Sequence, residues 1–241
     1  MILLDPEARP IIAHRGASGQ YPENTLLAFA KGLEQGADAL ELDVRVTADG
    51  VPIVLHDPTL ERTTNGWGAA GRLSLSEVHR ADAGRGERVP TLAEVLERFP
   101  ATPLLVEIKE AGAARATLAV LRAHGAEPRV LVGAFRRAAL SPLFGTEFAR
   151  APVRVEVALF WAGSRLGVSL GSRSYRAFSV PEHSGRLRVV DRRFVAAARR
   201  ARVPVHVWTV DDPSHATRLR ALGVCGIITN YPERMRALTS S

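Results

Sequence analysis

The sequence predicts an α/β fold of the (β/α)8, or TIM-barrel, class. Short runs rich in Val, Ile and Leu alternate along the chain with amphipathic segments of helical length, which is typical of a parallel sheet covered by helices. There are eight such runs, and a length of 241 residues is ordinary for one barrel. We therefore predict a single barrel domain over residues 1–241.

The eight apolar runs are the predicted barrel strands. In chain order they comprise residues 11–14, 39–44, 104–109, 129–135, 153–159, 176–180, 203–210 and 226–229. Six segments between them have apolar residues three and four positions apart, as a helix that packs against a sheet requires. These predicted helices comprise residues 25–35, 91–99, 113–124, 136–149, 192–202 and 213–222.

A ninth strand-like run, residues 51–55, follows the second predicted strand across the short turn 47–50. Parallel neighbours need a connection of about a dozen or more residues, so this turn permits only an antiparallel hairpin. We therefore expect residues 51–55 to form an arm at the barrel rim. Residues 57–90 then contain no long periodic element, which predicts a small insertion near the barrel mouth.

The net charge of +7 raises the question of a polyanionic partner. The arginines are scattered through helical segments and are not collected in one stripe with aromatic residues between them, as single-stranded nucleic-acid binding favours. We therefore expect no nucleic-acid partner. Lysine occurs only at Lys31 and Lys109, which makes Lys109 a residue of interest.

Membrane insertion and secretion are also not predicted. The first ten residues include Asp5, Glu7 and Arg9 and lack the apolar run of a secretory signal. No stretch reaches the roughly 20 apolar residues that a transmembrane helix needs. We expect a cytoplasmic protein in which the single cysteine, Cys225, is a small buried side chain.

Charged side chains interrupt the apolar pattern of two predicted strands. Alternate residues of a strand face the same way, so the apolar residues of the run 40–44 face the helices while Glu41 and Asp43 face the barrel interior. The same alternation directs Glu107 and Lys109 inward beneath the carboxyl-terminal rim. We therefore expect three carboxylates and one ammonium group to lie close together.

Three buried carboxylates need compensation, because each uncompensated buried ion costs several kcal/mol. Carboxylate oxygens without cysteine or closely spaced histidines favour Mg²⁺ or Ca²⁺ over Zn²⁺. The pattern therefore predicts one divalent cation, Mg²⁺ or Ca²⁺, at Glu41, Asp43 and Glu107. The alternative is a metal-free ion-pair network that uses Lys109 and Arg15.

Two histidines lie at the ends of predicted strands, His14 after the first strand and His56 after the arm. Histidine titrates near neutral pH, so the pair is a candidate for moving protons to and from a reacting oxygen. Arg15, which follows His14, offers a fork of donors that matches a phosphate group. Trp208, predicted to face inward, is placed either to stack on a ligand or to fill the core.

Other polar residues are predicted near the barrel mouth. Asn24 or Thr25 is a plausible N-cap of the first helix, where an anion is also favoured. Glu156 and His206 face inward by strand alternation, which predicts that they extend the polar lining.

The chain resembles the glycerophosphodiester phosphodiesterases, barrel enzymes that cleave deacylated phospholipids. Seven motifs carry the resemblance in the expected order: Ala-His-Arg-Gly-Ala at 13–17, Pro-Glu-Asn-Thr at 22–25, Glu-Leu-Asp at 41–43, Val-Leu-His-Asp at 54–57, Glu-Ile-Lys at 107–109, Val-Trp-Thr-Val at 207–210 and Gly-Ile-Ile-Thr-Asn-Tyr-Pro at 226–232. The chain departs from the pattern at Asp211, where Asn is often found, and at Asn230, where Asp is frequent. We expect these departures to affect substrate preference and not the chemistry.

The resemblance implies a role for each of eight residues. The implied acid/base pair is His14 and His56, the metal ligands are Glu41, Asp43 and Glu107, the phosphate contacts are Arg15 and Lys109, and the alcohol side of the pocket is Trp208. The implied reaction is metal-dependent hydrolysis of a small glycerophosphodiester to an alcohol and glycerol 3-phosphate.

Two other functions stay open at the level of sequence. The first is a lysophospholipase D or a phosphoinositide-cleaving lipase, which needs an apolar approach to the mouth. The insertion offers only Leu60, Trp67, Leu73 and Leu75, so soluble diesters are favoured. The second is a non-catalytic phosphate-binding protein, which predicts gaps in the catalytic set, whereas every member is present here.

Overall fold

The structure is a computed structural model that describes residues 1–167 and 174–238. The strands are β1 Ile11–His14, β2 Ala39–Val46, β3 Pro52–Val54, β4 Leu104–Ile108, β5 Val130–Gly133, β6 Ala149–Arg150, β7 Phe178–Pro181, β8 His183–Ser184, β9 Leu187–Arg188, β10 Val205–Trp208 and β11 Gly226–Thr229. The helices are α1 Leu26–Glu34, α2 Leu75–Val78, α3 Leu92–Arg98, α4 Ala114–Ala123, α5 Arg137–Leu140, α6 Arg154–Arg165, α7 Arg192–Arg200, α8 Pro213–Leu222 and α9 Pro232–Ala237.

Eight parallel strands of the described residues form one curled sheet in the order β6, β5, β4, β2, β1, β11, β10, β7. At its two ends, the backbone N–H of Arg176, just before β7, donates a hydrogen bond to the carbonyl oxygen of Arg150 in β6 at 2.9 Å. This contact brings the ends of the sheet together, as a barrel requires. The predicted α/β barrel class is confirmed.

The predicted arm is also confirmed. β3 pairs antiparallel with β2, and Val54 lies opposite Val44. The insertion that follows contains the short helix α2 and a 3₁₀ helix at Ala70–Arg72. Its buried side chains, among them Leu60 and Val78, form a small apolar cluster of their own that includes arm residues.

The outward faces of the strands pack against the helices. Leu40 and Leu42 of β2 share one apolar cluster with Phe29 of α1, Leu96 of α3 and Leu118 of α4. The N-terminus of α1 is capped by the Thr25 hydroxyl, which accepts a hydrogen bond from the Ala28 N–H at 3.1 Å. Within the described ranges, none of the helices has the length and apolar character needed to cross a membrane.

The inward faces of the strands form a separate apolar layer below the mouth. Leu3, in an N-terminal 3₁₀ helix, is fully buried there beside Ile12 and Leu105. His206 faces inward as predicted, but its Nε2 is 2.8 Å from the Leu3 carbonyl oxygen, and burial lowers the pKa of His206 to about 4. It lies below the mouth pocket, so the prediction that it extends the polar lining is wrong.

One predicted strand is wrong. Residues 154–159 lie in α6, Val153 is its N-cap, and the fifth barrel strand is the short β6 before it. Val155 and Leu159 of α6 are 56% and 60% exposed, so the alternation that predicted a strand does not reflect a buried face. The Glu156 carboxylate accepts the Val153 N–H at 2.9 Å and pairs with Arg150 at 2.7 Å. Glu156 therefore stabilises the start of α6 and does not line the barrel mouth.

The predicted helix 136–149 is shorter than expected. α5 ends at Leu140, and a 3₁₀ turn follows at Ser141–Leu143. Pro142 has no N–H, and its ring would clash with the preceding turn if α5 continued through it. Gly145 adopts a positive φ of 78°, which is not helical. These two residues explain why the apolar periodicity does not continue as one helix.

Candidate active site

A pocket of about 160 Å³ opens at the carboxyl-terminal ends of the strands. All eight predicted site residues line it: His14, Arg15, Glu41, Asp43, His56, Glu107, Lys109 and Trp208. They come from β1, β2, β4, β10 and the loops that follow β1, β3 and β4. Because the carboxyl ends of parallel strands meet at one rim, residues far apart in sequence converge there.

The three carboxylates lie together at the bottom of this pocket. Asp43 of β2 is directly opposite Glu107 of β4 in the sheet register, and Glu41 lies one inward position below Asp43. Each offers an oxygen within 4.8 Å of the others. The Lys109 ammonium is 2.8 Å from Asp43 Oδ1 and 2.7 Å from Glu107 Oε1. The predicted convergence of three carboxylates and one ammonium group is thus present.

The electrostatics of the cluster favour an additional positive charge. Burial, followed by the charges of Asp43 and Glu107, raises the pKa of Glu41 well above its ordinary value. Burial also raises the pKa of Glu107. Burial by itself would also raise the pKa of Asp43, but the charges of the nearby Lys109 and Arg15 lower that pKa overall. Three oxygen ligands with a surplus of negative charge fit a hard divalent cation.

Arg15 is held in a left-handed conformation at the end of β1, with a φ of 55°. Its Nε is 3.0 Å from Asp43 Oδ2, and Nη1 donates to Glu23 Oε1 at 2.9 Å. The next residue, Gly16, has a φ of 81°, and a Cβ there would lie 2.4 Å from the Ala28 backbone. Only glycine allows this turn to pack against α1 and to place the guanidinium over the carboxylates.

Asn24 and Thr25 have different roles. Thr25 is the N-cap of α1, whereas the Asn24 side chain points into the site and donates to Asp43 Oδ2 at 3.0 Å. Asn24 is buried and adopts a φ of 58°, a conformation that asparagine tolerates better than most residues. It therefore supports the position of the Asp43 carboxylate.

His14 is held by a chain of polar side chains from the end of β11. Its Nδ1 is 2.7 Å from Asn230 Oδ1, and Asn230 Nδ2 donates to Asp211 Oδ2 at 2.7 Å. The Asp211 carboxylate only accepts hydrogen bonds, so Asn230 presents Nδ2 to Asp211 and Oδ1 to His14, and His14 Nδ1 carries the proton. Nε2 then keeps its lone pair and lies 3.9 Å from Glu41 Oε2.

This contact corrects one expectation. Asn230 touches a candidate catalytic histidine, so the prediction that the departures at Asp211 and Asn230 leave the chemistry aside is wrong. Burial and the neighbouring Arg15 lower the pKa of His14, which keeps the ring neutral at neutral pH.

His56 has a different partner. Its Nδ1 is 2.6 Å from Asp57 Oδ1, and the Arg62 guanidinium donates to both Asp57 oxygens. Arg62 also donates to both oxygens of Glu23, which links the insertion to Arg15. The hydrogen bonds from Arg62 hold the pKa of Asp57 well below its usual range, so Asp57 stays charged beside His56.

Two aromatic rings form one wall of the pocket. Trp208 and Phe135 pack edge to face, with ring centroids 5.9 Å apart. The Lys109 ammonium is 5.7 Å from the centre of the Phe135 ring. Trp208 lies at the mouth as predicted, whereas Phe135 was not singled out from the sequence.

The sequence matches the model of the Glycerophosphoryl diester phosphodiesterase family over residues 14–131 and 146–234. The chain belongs to this family. The match includes His14, His56, the three carboxylates and Trp208, so the pocket lies within the part of the chain that defines the family. Proteins of this family are phosphoric diester hydrolases, and this family member is therefore an enzyme.

Individual relatives agree with this assignment over nearly the whole chain. A glycerophosphodiester phosphodiesterase of Caldanaerobacter subterraneus is 32% identical over 239 residues, which is 93% of this chain and 95% of the relative. A probable glycerophosphodiester phosphodiesterase 2 of Mycobacterium tuberculosis is 34% identical over 241 residues. The alignment covers 95% of this chain and 89% of the relative.

A solved structure is similar as well. A phosphodiesterase of Oleispira antarctica, in complex with the product sn-glycerol-3-phosphate, superposes with a TM-score of 0.81 and 28% identity. The similarity covers 97% of this chain and 98% of the other. This family member therefore shares its fold with a phosphodiesterase of known structure, and the similarity covers nearly all of both chains.

Proposed function

We propose that this family member hydrolyses glycerophosphodiesters to an alcohol and glycerol 3-phosphate, with a divalent cation and two histidines. The observation that carries the proposal is the cluster of three carboxylates, with oxygens within 4.8 Å of one another, in a pocket that two histidines also line. The relatives and the product complex of the Oleispira enzyme support the same substrate class.

Glu41, Asp43 and Glu107 are the proposed ligands of the cation, which is Mg²⁺ or Ca²⁺. When bound, such an ion supplies positive charge that polarises a phosphoryl oxygen. Lys109 and Arg15 are the proposed phosphate contacts. Asp43 and Glu107 occupy two of the three donors of the Lys109 ammonium, which leaves a third for the substrate.

The hydrogen-bond partners of the two histidines support a division of roles. His14 donates through Nδ1 to a neutral amide and keeps a free lone pair on Nε2, so we assign it as the general base that activates the nucleophile. His56 Nδ1 lies against the Asp57 carboxylate, which orients the ring and leaves Nε2 free to face the substrate. We therefore assign His56 as the general acid that protonates the leaving alcohol.

The test is incubation of the purified protein with glycerophosphocholine and Mg²⁺ or Ca²⁺. We expect release of glycerol 3-phosphate, its loss after exhaustive chelation and its recovery when the ion is returned. His14→Ala and His56→Ala are each expected to lower kcat by about 10²–10⁴-fold with an unchanged fold. His124→Ala, a histidine at the end of α4, is the control and should retain activity.

Two results would contradict the proposal. No turnover with either ion favours a non-catalytic phosphate-binding protein. Turnover that survives complete chelation would show that the reaction does not need the cation, and it would still agree with the proposed substrate class.

A further inference from the structure

A basic cavity lies away from the catalytic pocket, where residues of β9, α7 and α8 form its walls. Its volume is about 570 Å³, within the range of about 300–1,000 Å³ that is usual for sites of small ligands. The residues described for this lining have no member in common with those of the catalytic pocket. Four of them are arginines, and we refer to the cavity as the arginine cleft: Arg188, Arg192, Arg193 and Arg218.

Two of the arginines are held by one buried carboxylate. Glu182 accepts hydrogen bonds from Arg188 Nη2 at 3.1 Å and from Arg218 Nη2 at 2.8 Å. His215 Nε2 lies 2.6 Å from the same carboxylate. Glu182 therefore has no capacity to neutralise further arginines. Each guanidinium has five N–H donors and uses one nitrogen for Glu182, so both arginines keep donors for a ligand.

The other two arginines of the cleft lack such a partner. Arg192 and Arg193 are exposed, and within residues 1–167 and 174–238 neither forms an ion pair. Asp191 is the acidic side chain described for the lining, and both its oxygens are used. One accepts the Phe194 N–H at 2.9 Å, and the other accepts from the Arg165 guanidinium. The cleft therefore carries positive charge that the described residues do not compensate.

The position of these two arginines in α7 is electrostatically unfavourable. Asp191 is the N-cap, so Arg192 and Arg193 occupy the first turn, where the helix macrodipole favours negative charge. That turn contains no acidic side chain. An anion bound beside the two arginines would supply the missing negative charge. A local arrangement that lowers the stability of the free protein is expected where a ligand compensates for it.

The lining also indicates which kind of anion fits. Guanidinium groups form paired hydrogen bonds to phosphate oxygens, and four of them around one cavity match several negative charges. The remaining lining residues that the structure describes, Ala221 and Leu222, are aliphatic. The described lining thus offers no aromatic ring on which a nucleobase could stack. It favours an anion with several phosphate groups that is recognised by its charge.

We propose that the arginine cleft binds a multiply charged phosphate compound of the polyphosphate type, at a site separate from the catalytic pocket. The inference does not depend on the reaction that the enzyme catalyses, because the two cavities have no described lining residue in common. The scattered arginines of the sequence did not indicate this site, because Arg218 of α8 joins the other three only in the folded chain.

Isothermal titration calorimetry with inorganic triphosphate tests the proposal. Mg²⁺ is kept in excess throughout, so that the triphosphate is titrated as its magnesium complex, which is still an anion, and does not remove a cation from the catalytic pocket. We expect saturable binding by the wild type, with a Kd that rises with ionic strength and is higher for inorganic phosphate. Lys109→Met, in the catalytic pocket, should bind triphosphate with the Kd of the wild type.

Two double variants of α7 test the location. Arg192→Gln with Arg193→Gln removes two charges from the cleft and should raise the Kd about tenfold or more, because charge-assisted hydrogen bonds are lost. Arg199→Gln with Arg200→Gln removes two charges from the last turn of the same helix, outside the lining, and should leave the Kd nearly unchanged. Without ligand, the first pair should raise Tm and the second should lower it, because the macrodipole acts oppositely at the two ends.

Three results would overturn the inference. The absence of saturable triphosphate binding by the wild type would remove the site. Equal weakening in both double variants would assign the binding to the general basic surface. Loss of binding in Lys109→Met with no loss in the α7 variants would assign it to the catalytic pocket. None of these results bears on glycerophosphodiester hydrolysis, which the release of glycerol 3-phosphate tests separately.

Discussion

The partners of His14 place a neutral amide, and not a carboxylate, against a candidate catalytic base. Asn230 contacts the ring, and the charge of Asp211 lies one residue further away. A carboxylate next to an imidazole favours its protonated form, so this arrangement keeps His14 more acidic than a direct histidine–carboxylate pair would. The order of these two residues therefore bears on the pH range of activity.

The double substitution Asp211→Asn with Asn230→Asp tests this. It brings the carboxylate to His14 Nδ1 and raises the pKa of His14, so the base becomes protonated at higher pH. We expect the acidic limb of the kcat/KM–pH profile to move upward by roughly one unit or more. Asp212→Asn removes a carboxylate from the neighbouring position and should leave the limb in place. An unmoved limb in the double variant would contradict the assignment of His14 as the base.

Residues of the site differ in how well the sequence predicts them. Glu41, Asp43 and Glu107 were found because charge on the inner face of an apolar strand is a local pattern. Arg62 was missed because its partners Glu23 and Asp57 are brought together only when the insertion packs against the loop before α1. Likewise, Asn230 and His14 are 216 positions apart, and strand alternation carries no information on such a contact.

At the scale of elements, the β2–β3 arm and the insertion position the second histidine. His56 follows the arm, and Arg45 Nε of β2 donates to its carbonyl oxygen at 2.9 Å. The turn 47–50 predicted this hairpin because it is too short for any other connection. Residues 153–159 were predicted wrongly because their apolar alternation is equally compatible with the exposed face of α6, and the sequence does not show which side is buried.

The contact between the insertion and the loop before α1 predicts the effect of Arg62→Ala. The Arg62 side chain is 47% exposed, so its ion pairs with Asp57 and Glu23 contribute little stability, about 0–1 kcal/mol. Without it, Asp57 no longer holds His56 in place, and we expect kcat to fall about 10–100-fold, the range known for outer partners of functional histidines. The Tm should change by no more than a few degrees. The control variant Arg72→Ala should show a similarly small change in Tm and should keep full activity. A loss of activity that follows the loss of stability would indicate a structural role only.

For the whole molecule, the barrel explains why a basic protein contains an acidic site. The net charge is +7, yet three carboxylates converge at the carboxyl-terminal rim against Lys109 and Arg15. Strand order and closure were predictable from the alternation of strands and helices, because a parallel sheet of eight strand–helix units has few alternatives. The short strand β6 was not predictable, because its position depends on packing between distant segments.

The carboxylate cluster predicts that the cation stabilises the whole fold. The folded-state pKa values of Glu41 and Glu107 are raised, so their contribution to stability is present at acidic pH and is lost as the pH rises through those values. Above those pKa values the cation-free protein therefore retains repulsion between the carboxylates, which a bound ion removes. Mg²⁺ or Ca²⁺ at about 100 times its Kd should stabilise the protein by about 2.7 kcal/mol, which raises Tm by roughly 5–10 °C.

Glu41→Gln removes one charge without changing shape, and it tests this reasoning by calorimetry. We expect the variant to have a higher Tm than the cation-free wild type at pH 7, and to show little further increase when the ion is added, because the repulsion and a ligand are lost together. Glu97→Gln, which neutralises an exposed carboxylate of α3, should change neither value. A lower Tm for cation-free Glu41→Gln would mean that Arg15 and Lys109 already balance the cluster, and the cation would then have no electrostatic reason to bind there.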